Sequence, residues 1–273
     1  MLIAQVSDTH IKKENHLAYK KVNTQEALKR CIEHLNALSP KPDIVIFSGD
    51  NVDFGDEKEY EQLKTILEKL TIPYHLLPGN HDCNLTLKKV FSHQKWSQHS
   101  QFLNFSLDGF PIQILGLDSS LPNTNYGELC DERLHWLEKE LQRLGEKKAL
   151  IFMHHPPIKV GIEHMDAQFL KNGAPLLGKL LQLYPNVLGI ACGHLHRSSF
   201  TLWNNVVIST APSPSHQVVL DFNHNASPAF ILEPPAIHLH RYTKEYGLTT
   251  HISYIGSYQG PYPFYDEHGK LIE

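Results

Sequence analysis

The chain has 273 residues, 41% hydrophobic and 20% charged, with a formal net charge of −4. That suffices for one large α/β domain with a sizeable core, and it leaves no basic stripe for nucleic acid. No window approaches the roughly 18 apolar residues of a membrane span.

Met1–Val6 is apolar for only one strand's length and lacks the basic start and cleavage site of a signal peptide. Leu2–Val6 is the first predicted strand. Thr24 is the expected N-cap of a helix presenting Ala27, Leu28, Cys31, Ile32, Leu35 and Leu38 on one face. A strand over Asp43–Phe47 follows, then a helix marked by Tyr60, Leu63, Ile66, Leu67 and Leu70, then a strand over Tyr74–Leu77. This βαβαβ rhythm predicts parallel strands with crossover helices.

Strands are expected near Phe102–Leu107 and Ile112–Leu117. A helix over Asp131–Leu144 turns Leu134, Leu137, Leu141 and Leu144 inward. Next come a strand over Ala149–Met153, a helix over Pro175–Leu183 and a strand over Val187–Cys192. Beyond residue 198 the apolar runs are short, as in Val206–Ser209 and Ile252–Ile255, which predicts a mostly antiparallel β part over about 198–273. With no linker or repeat in sight, residues 1–273 are read as one domain. The last ten residues or so are polar and expected to be loosely held. Cys31, Cys83, Cys130 and Cys192 form no C-x-x-C pair. They read as reduced thiols, so a cytoplasmic location is expected.

There are 19 histidines, an excess that directs attention to metal chemistry. Potential ligands cluster directly after predicted strands: Asp8-Thr9-His10, Gly49-Asp50, Gly79-Asn80-His81-Asp82, His154-His155 and Gly193-His194-Leu195-His196. Residues just past the carboxyl ends of parallel strands converge on one crevice. Taken singly, each cluster has a plainer reading. Asp50 suits a turn, Asn80 and Asp82 an Asx-turn and a helix cap, and His194 and His196 a turn pair. Their recurrence, in this order and always at strand ends, points instead to metal ligation.

Imidazole mixed with carboxylate and amide oxygen suits Zn, Mn, Fe or Co. Asp8, His10, Asp50, Asn80, His154, His194 and His196 are too many for one tetrahedral ion. They suit two ions about 3.5–4 Å apart that share the Asp50 carboxylate.

These blocks, with Asp53 in Gly49-Asp50-x-x-Asp53 and Pro156 after His154, resemble the calcineurin-like metallophosphoesterase superfamily. Within it the chain most resembles bacterial class III cyclic nucleotide phosphodiesterases and related glycerophosphodiesterases, along nearly its whole length. Val22-Asn23-Thr24, Asp118-Ser119-Ser120 and Met153-His154-His155-Pro156-Pro157 carry the likeness beyond the ligand blocks.

The resemblance implies a four-layer αββα sandwich with a small, mostly β C-terminal part. It implies one transition-metal ion on Asp8, His10, Asp50 and His196, and another on Asp50, Asn80, His154 and His194. His155 is left out of the ligand set. The expected reaction is direct hydrolysis of a small phosphodiester, a 3′,5′-cyclic nucleotide or a glycerophosphodiester, by a hydroxide held between the ions. Asn80 and His81 are expected to face the substrate. His81 would supply a proton to the leaving alkoxide, with its imidazole oriented by the Asp53 carboxylate. His216, after Ala211-Pro212-Ser213-Pro214-Ser215, is expected to contact phosphate.

Ser/Thr protein phosphatases of the superfamily carry Asp-Arg-Gly where this chain has Asp53-Phe54-Gly55. Without that arginine fork a singly charged diester fits better than a monoester. The alternatives are a broad-specificity phosphomonoesterase or nucleotidase, and a non-catalytic scaffold of the same fold. Tyr19 and His16, in the loop after the first block, are candidates to contact a base or a headgroup, but are read as ordinary surface residues. No nucleic-acid duplex or membrane is expected as a partner. Tyr254, Tyr258, Tyr262 and Phe264 suggest a homo-oligomer.

Overall fold

A computed structural model describes residues 1–96 and 101–273. The chain opens with β1 (Leu2–Val6), α1 (Thr24–Ala37), β2 (Ile44–Ser48), α2 (Glu57–Leu67) and β3 (Tyr74–Leu77). These strands pair in parallel, Ile3 beside Ile44 and Val45 beside Tyr74, with the helices as crossovers. Thr24 is the first helical residue, not the cap. Asn23 is the N-cap, and its Oδ1 accepts the Glu26 amide at 3.1 Å. The residue before the first helical turn must stand outside helical φ/ψ, and Asn23 does so, at φ −84°, ψ 86°.

A short helix absent from the sequence reading, α3 (Asn84–Val90), precedes β4 (Phe105–Leu107), β5 (Gln113–Leu117), β6 (Gly127–Glu128) and α4 (Asp131–Leu144). After β7 (Ala149–Met153) come α5 (Glu163–Asp166), β8 (Leu170–Asn172), α6 (Ala174–Leu183) and β9 (Val187–Cys192). The remaining strands are β10 (Ser199–Trp203), β11 (Val206–Thr210), β12 (Gln217–Val218), β13 (Phe230–Ile231), β14 (Ala236–Thr243) and β15 (Gly247–Tyr254).

Two large sheets result, ordered β15-β14-β1-β2-β3 and β10-β11-β9-β7-β5-β4. In the second sheet the period-two alternation separates two cores. Ile114, Leu150, Phe152 and Ala191 pack with the strands of the first sheet. Their neighbours Leu115, Ile151, Met153 and Ile190 lie with Leu134, Leu137 and Leu141 of α4 and Leu177 and Leu181 of α6. The apolar faces of α1 and α2, including Leu28, Ile32, Leu63 and Leu67, join the core of the first sheet. The layers therefore run helix, sheet, sheet, helix. Strands covered on both faces need continuous apolar runs, as in Leu2–Val6 and Ile44–Ser48.

The C-terminal strands extend both sheets. β14 runs antiparallel to β1, pairing His240 with Ile3, and β11 runs parallel to β9. Residues 256–273 are exposed throughout.

Candidate metal centre

The first sheet delivers Asp8 and His10 after β1, Asp50 after β2 and Asn80 after β3. The second delivers His154 after β7, and His194 and His196 after β9. All lie past the carboxyl ends of parallel strands, in the seam between the sheets. Five of them have left-handed backbone: Asp8 (φ 57°), His10 (44°), Asp50 (50°), His194 (71°) and His196 (52°). Such conformations are strained for residues with a Cβ and collect where function fixes the chain. Gly79 is required for a different reason. A Cβ there would collide with the Asp50 carboxylate.

Asp8, His10 and His196 form one group and Asp8, Asp50 and His154 another, each with ligand-capable atoms within 4.8 Å of one another. His10 Nε2 and His196 Nε2 face each other at 3.2 Å, and His196 Nε2 lies 3.4 Å from Asp8 Oδ1. Asp8 is common to both groups, and Asp50 Oδ2 reaches toward each, 3.8 Å from His10 Nε2 and 3.2 Å from His154 Nε2. The other ring nitrogens are held by the fold. His10 Nδ1 meets Asp53 Oδ1 at 3.1 Å, His154 Nδ1 donates to Ser48 O at 2.9 Å, and His196 Nδ1 donates to His216 O at 3.1 Å. Each such bond leaves Nε2 directed into the crevice.

Asn80 Oδ1 and His194 Nε2 are buried with no hydrogen-bond partner. An orphaned buried oxygen and nitrogen carry a desolvation penalty that a cation would remove. The donor set therefore fits metal ions. His155, outside the expected set, stands beside it: its ring lies 4.7 Å from that of His194 and its Nδ1 pairs with Ser119 Oγ at 2.9 Å.

Charge within the crevice follows the same geometry. Burial favours a neutral Asp50, but His154 and His81 outweigh it and hold the carboxyl well below its usual range. Burial opposes charge on His154 too, yet Asp50 raises its pKa to about 9. Burial, helped by the charge of His154, pushes His194 down to about 3. His216 falls to about 2 through burial and the neighbouring His196 and His10.

Asp53 meets His81, but more closely through its main-chain oxygen than through the expected carboxylate. The Asp53 carboxylate binds His10 Nδ1 and the Lys12 ammonium. His81 Nδ1 donates instead to the Asp53 main-chain oxygen at 2.8 Å, and lies 3.9 Å from Asp53 Oδ1. The Asp53 carboxylate is drawn to the more deeply buried ring and to the Lys12 ammonium. His81 keeps 36% of its side chain exposed at the rim, and its ring packs edge-on to His10 at 4.7 Å. His216 packs its ring 4.6 Å from His196 and bonds Ser215 Oγ through Nδ1 at 2.9 Å.

Several supporting roles escaped the sequence reading. Asp82 Oδ2 accepts Gly79 N, Asn51 N and Asn51 Nδ2, while Oδ1 accepts the Tyr60 hydroxyl at 2.8 Å, tying the second block to the third. Tyr60 was legible only as a core residue of its helix. Fully buried Arg133 donates to Asp118 O and Ser120 O and fixes the loop that carries Ser119. An arginine beside the apolar face of α4 was the available signal. Gln5, also fully buried, donates to Ser48 Oγ at 2.8 Å and Cys192 O at 2.9 Å, and accepts from His240 Nε2 at 3.0 Å. It thereby bonds the strand ends of both sheets beneath the crevice.

Tyr19 is not an ordinary surface residue. Its ring stacks on Phe230 at 4.9 Å and meets His216 edge-on at 5.3 Å. His16 is exposed, with Nδ1 on Glu14 O at 2.8 Å.

Comparison with known proteins gives four findings. The family model for calcineurin-like phosphoesterases matches residues 1–198. A probable glycerophosphodiester phosphodiesterase of Arcobacter nitrofigilis is 51% identical over 273 residues, all of both chains. A 3′,5′-cyclic-nucleotide phosphodiesterase of Nostoc is 31% identical, over 79% of each chain. Among solved structures, a dimetal phosphatase from Danio rerio superposes with a TM-score of 0.65 at 11% identity, covering 94% of this chain and 99% of its own, which shows the shared fold.

Proposed function

The chain belongs to the calcineurin-like phosphoesterase family, and from that premise we propose that it hydrolyses small phosphodiesters with two transition-metal ions in the crevice. The observation that carries this reading is the set of buried donors on either side of Asp50 Oδ2. Asp8, His10, Asp50 and His196 would hold one ion, and Asp50, Asn80, His154 and His194 the other. Mixed imidazole, carboxylate and amide donors suit Fe, Mn, Zn or Co. When bound, such ions supply Lewis acidity toward water and the phosphoryl oxygens.

The chain's own residues do the remainder. The Asn80 amide and His81 line the substrate side. His81 Nδ1 is fixed on Asp53 O, so Nε2 is the atom that carries a proton to the leaving alkoxide. Asp53 acts as a positioning residue, through its carboxylate on His10 and its carbonyl on His81. His216 stays neutral at ordinary pH and contributes a hydrogen bond to phosphate, not charge.

A diester is favoured over a monoester because the nearby cation is already engaged. Lys12 is paired with Asp53, and no arginine stands at Phe54. A side-by-side assay of bis(p-nitrophenyl) phosphate, p-nitrophenyl phosphate, cAMP and glycerophosphocholine with defined metals tests the reading. Faster turnover of the monoester would replace it with a phosphomonoesterase. Binding of metal with no turnover of any of them would leave a scaffold.

The thiols are unpaired, with Cys31 and Cys192 buried, which fits a reducing compartment such as the cytoplasm. No helix among the described residues is long and apolar enough to cross a membrane. Exposed Tyr254, Tyr258, Tyr262 and Phe264 support self-association. A single monomer boundary in sedimentation at high concentration would dispose of that assembly.

A further inference from the structure

Next to the crevice an aromatic wall stands in a position that the hydrolytic groups do not use. Tyr19 lies in the loop after the first ligand block with left-handed backbone, φ 49°, and Lys20 follows at 58°. Two successive strained residues hold the ring out from the loop, and Tyr19 remains 54% exposed. One face is covered by Phe230, at 4.9 Å and 29° between planes. Phe230 and Tyr19 both meet the edge of His216, at 5.6 Å and 5.3 Å, and His216 in turn packs on His196 and His10. A continuous run of rings thus leads from the metal centre to a phenol whose second face is open.

Tyr19 also shares the field of the crevice. Partial burial raises its pKa, and the charges of Asp53, Asp50 and Asp8 raise it further. Both neighbouring lysines, Lys20 and Lys21, are exposed. Neither side chain has an ion pair or hydrogen bond among the described residues, unlike those of Lys12 and Lys13, which pair with Asp53 and Asp56. An aromatic face attracts both flat rings and ammonium groups, and two free cations beside it disfavour the ammonium.

Resting on the phosphodiesterase reading, we propose that the stacked Tyr19–Phe230 pair is a leaving-group subsite. It selects alcohols that carry an uncharged flat ring, as a nucleobase or an aryl group does, over those that carry a quaternary ammonium. The open face of Tyr19 stacks on the ring while the phosphoryl group lies in the crevice, and Phe230 keeps the phenol from turning away.

The test compares kcat/KM for bis(p-nitrophenyl) phosphate and cAMP with that for glycerophosphocholine, in wild type, Tyr19→Leu and Tyr19→Phe. Tyr19→Leu is expected to lower the ratio of ring-bearing to choline-bearing substrate about tenfold, while Tyr19→Phe, which keeps the ring, retains it. An unchanged ratio in Tyr19→Leu overturns the proposal. So does a selective loss on glycerophosphocholine, which would make the wall a cation–π site. If the wild type turned over no diester, the phosphodiesterase reading would fail by itself. Calorimetric binding of adenosine 5′-monophosphate against phosphocholine to wild type and Tyr19→Leu would then decide the subsite. Preferential nucleotide binding lost in Tyr19→Leu upholds it, and equal binding overturns it.

Discussion

His81 and Asp53 show how one residue can act through two different atoms. The carbonyl of Asp53 fixes His81 while its carboxylate fixes His10, so the two partners can be separated by mutation. His81→Ala removes the proposed proton donor and leaves the buried metal-binding candidates in place. Turnover is expected to fall by about a hundredfold with metal content near wild type by elemental analysis. Loss of metal in that variant would make His81 structural. Gly79→Ala should behave in the opposite way, since its Cβ must displace the Asp50 carboxylate that both proposed ligand sets share; bound metal and activity should be lost together. The proposed ligands were legible because Asp, His or Asn follows each of β1, β2, β3, β7 and β9. Which histidine Asp53 would choose was not, because His10 and His81 are both within reach of the rim and only their depth decides.

At the scale of single elements, β3 carries a histidine that serves packing instead of chemistry. His75 is 5% exposed, lies between Leu76 O and Lys95 O, and packs on Phe105 at 4.0 Å. Burial pushes its pKa down to about 4 from 6.5. The unfolded chain therefore binds the proton more readily between those values. Stability from this group is complete above about pH 6.5 and declines as pH falls toward 4. Relative to a His75→Gln variant, the wild type should lose about 2 kcal/mol between pH 7 and 4.5, measured by urea unfolding. A constant difference across that range would mean that His75 is readily protonated in the fold. The parallel strands were legible from their unbroken apolar runs. β14 and β15 were not, beyond Ile252–Ile255, because His238, His240 and Arg241 interrupt the apolar pattern of β14 and the buried histidines find their partners only across the sheet or between sheets. The α1 cap was misplaced by one residue because Asn23 and Thr24 are both good capping types.

Across the whole molecule, each proposed ligand group draws on both sheets: His196 joins donors of the first sheet, as do His154 and His194. Metal binding should therefore stabilise the fold as well as enable catalysis. Chelation is expected to lower the melting temperature, by an amount equivalent to about 4 kcal/mol when free metal had stood at a thousand times its Kd. An unchanged melting temperature after complete removal of metal would show that the crevice is held without it. The four layers were legible through the family resemblance, whereas the closing of both sheets by C-terminal strands depends on pairing between residues as distant as Leu2 and Arg241.

Around the crevice the sheets are joined by side chains: His154 to Ser48 O, Ser213 to Asp8 O, and Gln5 to Cys192 O. Slipping one sheet against the other by a single residue moves it about 3.3 Å, as far as the 3.2 Å gap between His10 and His196. Such a slip would keep Asp8, His10 and Asp50 together but part them from His154, His194 and His196. The Gln5 amide, bonded to Ser48 Oγ and Cys192 O, is thus placed to set the alignment of the proposed ligands without touching any of them.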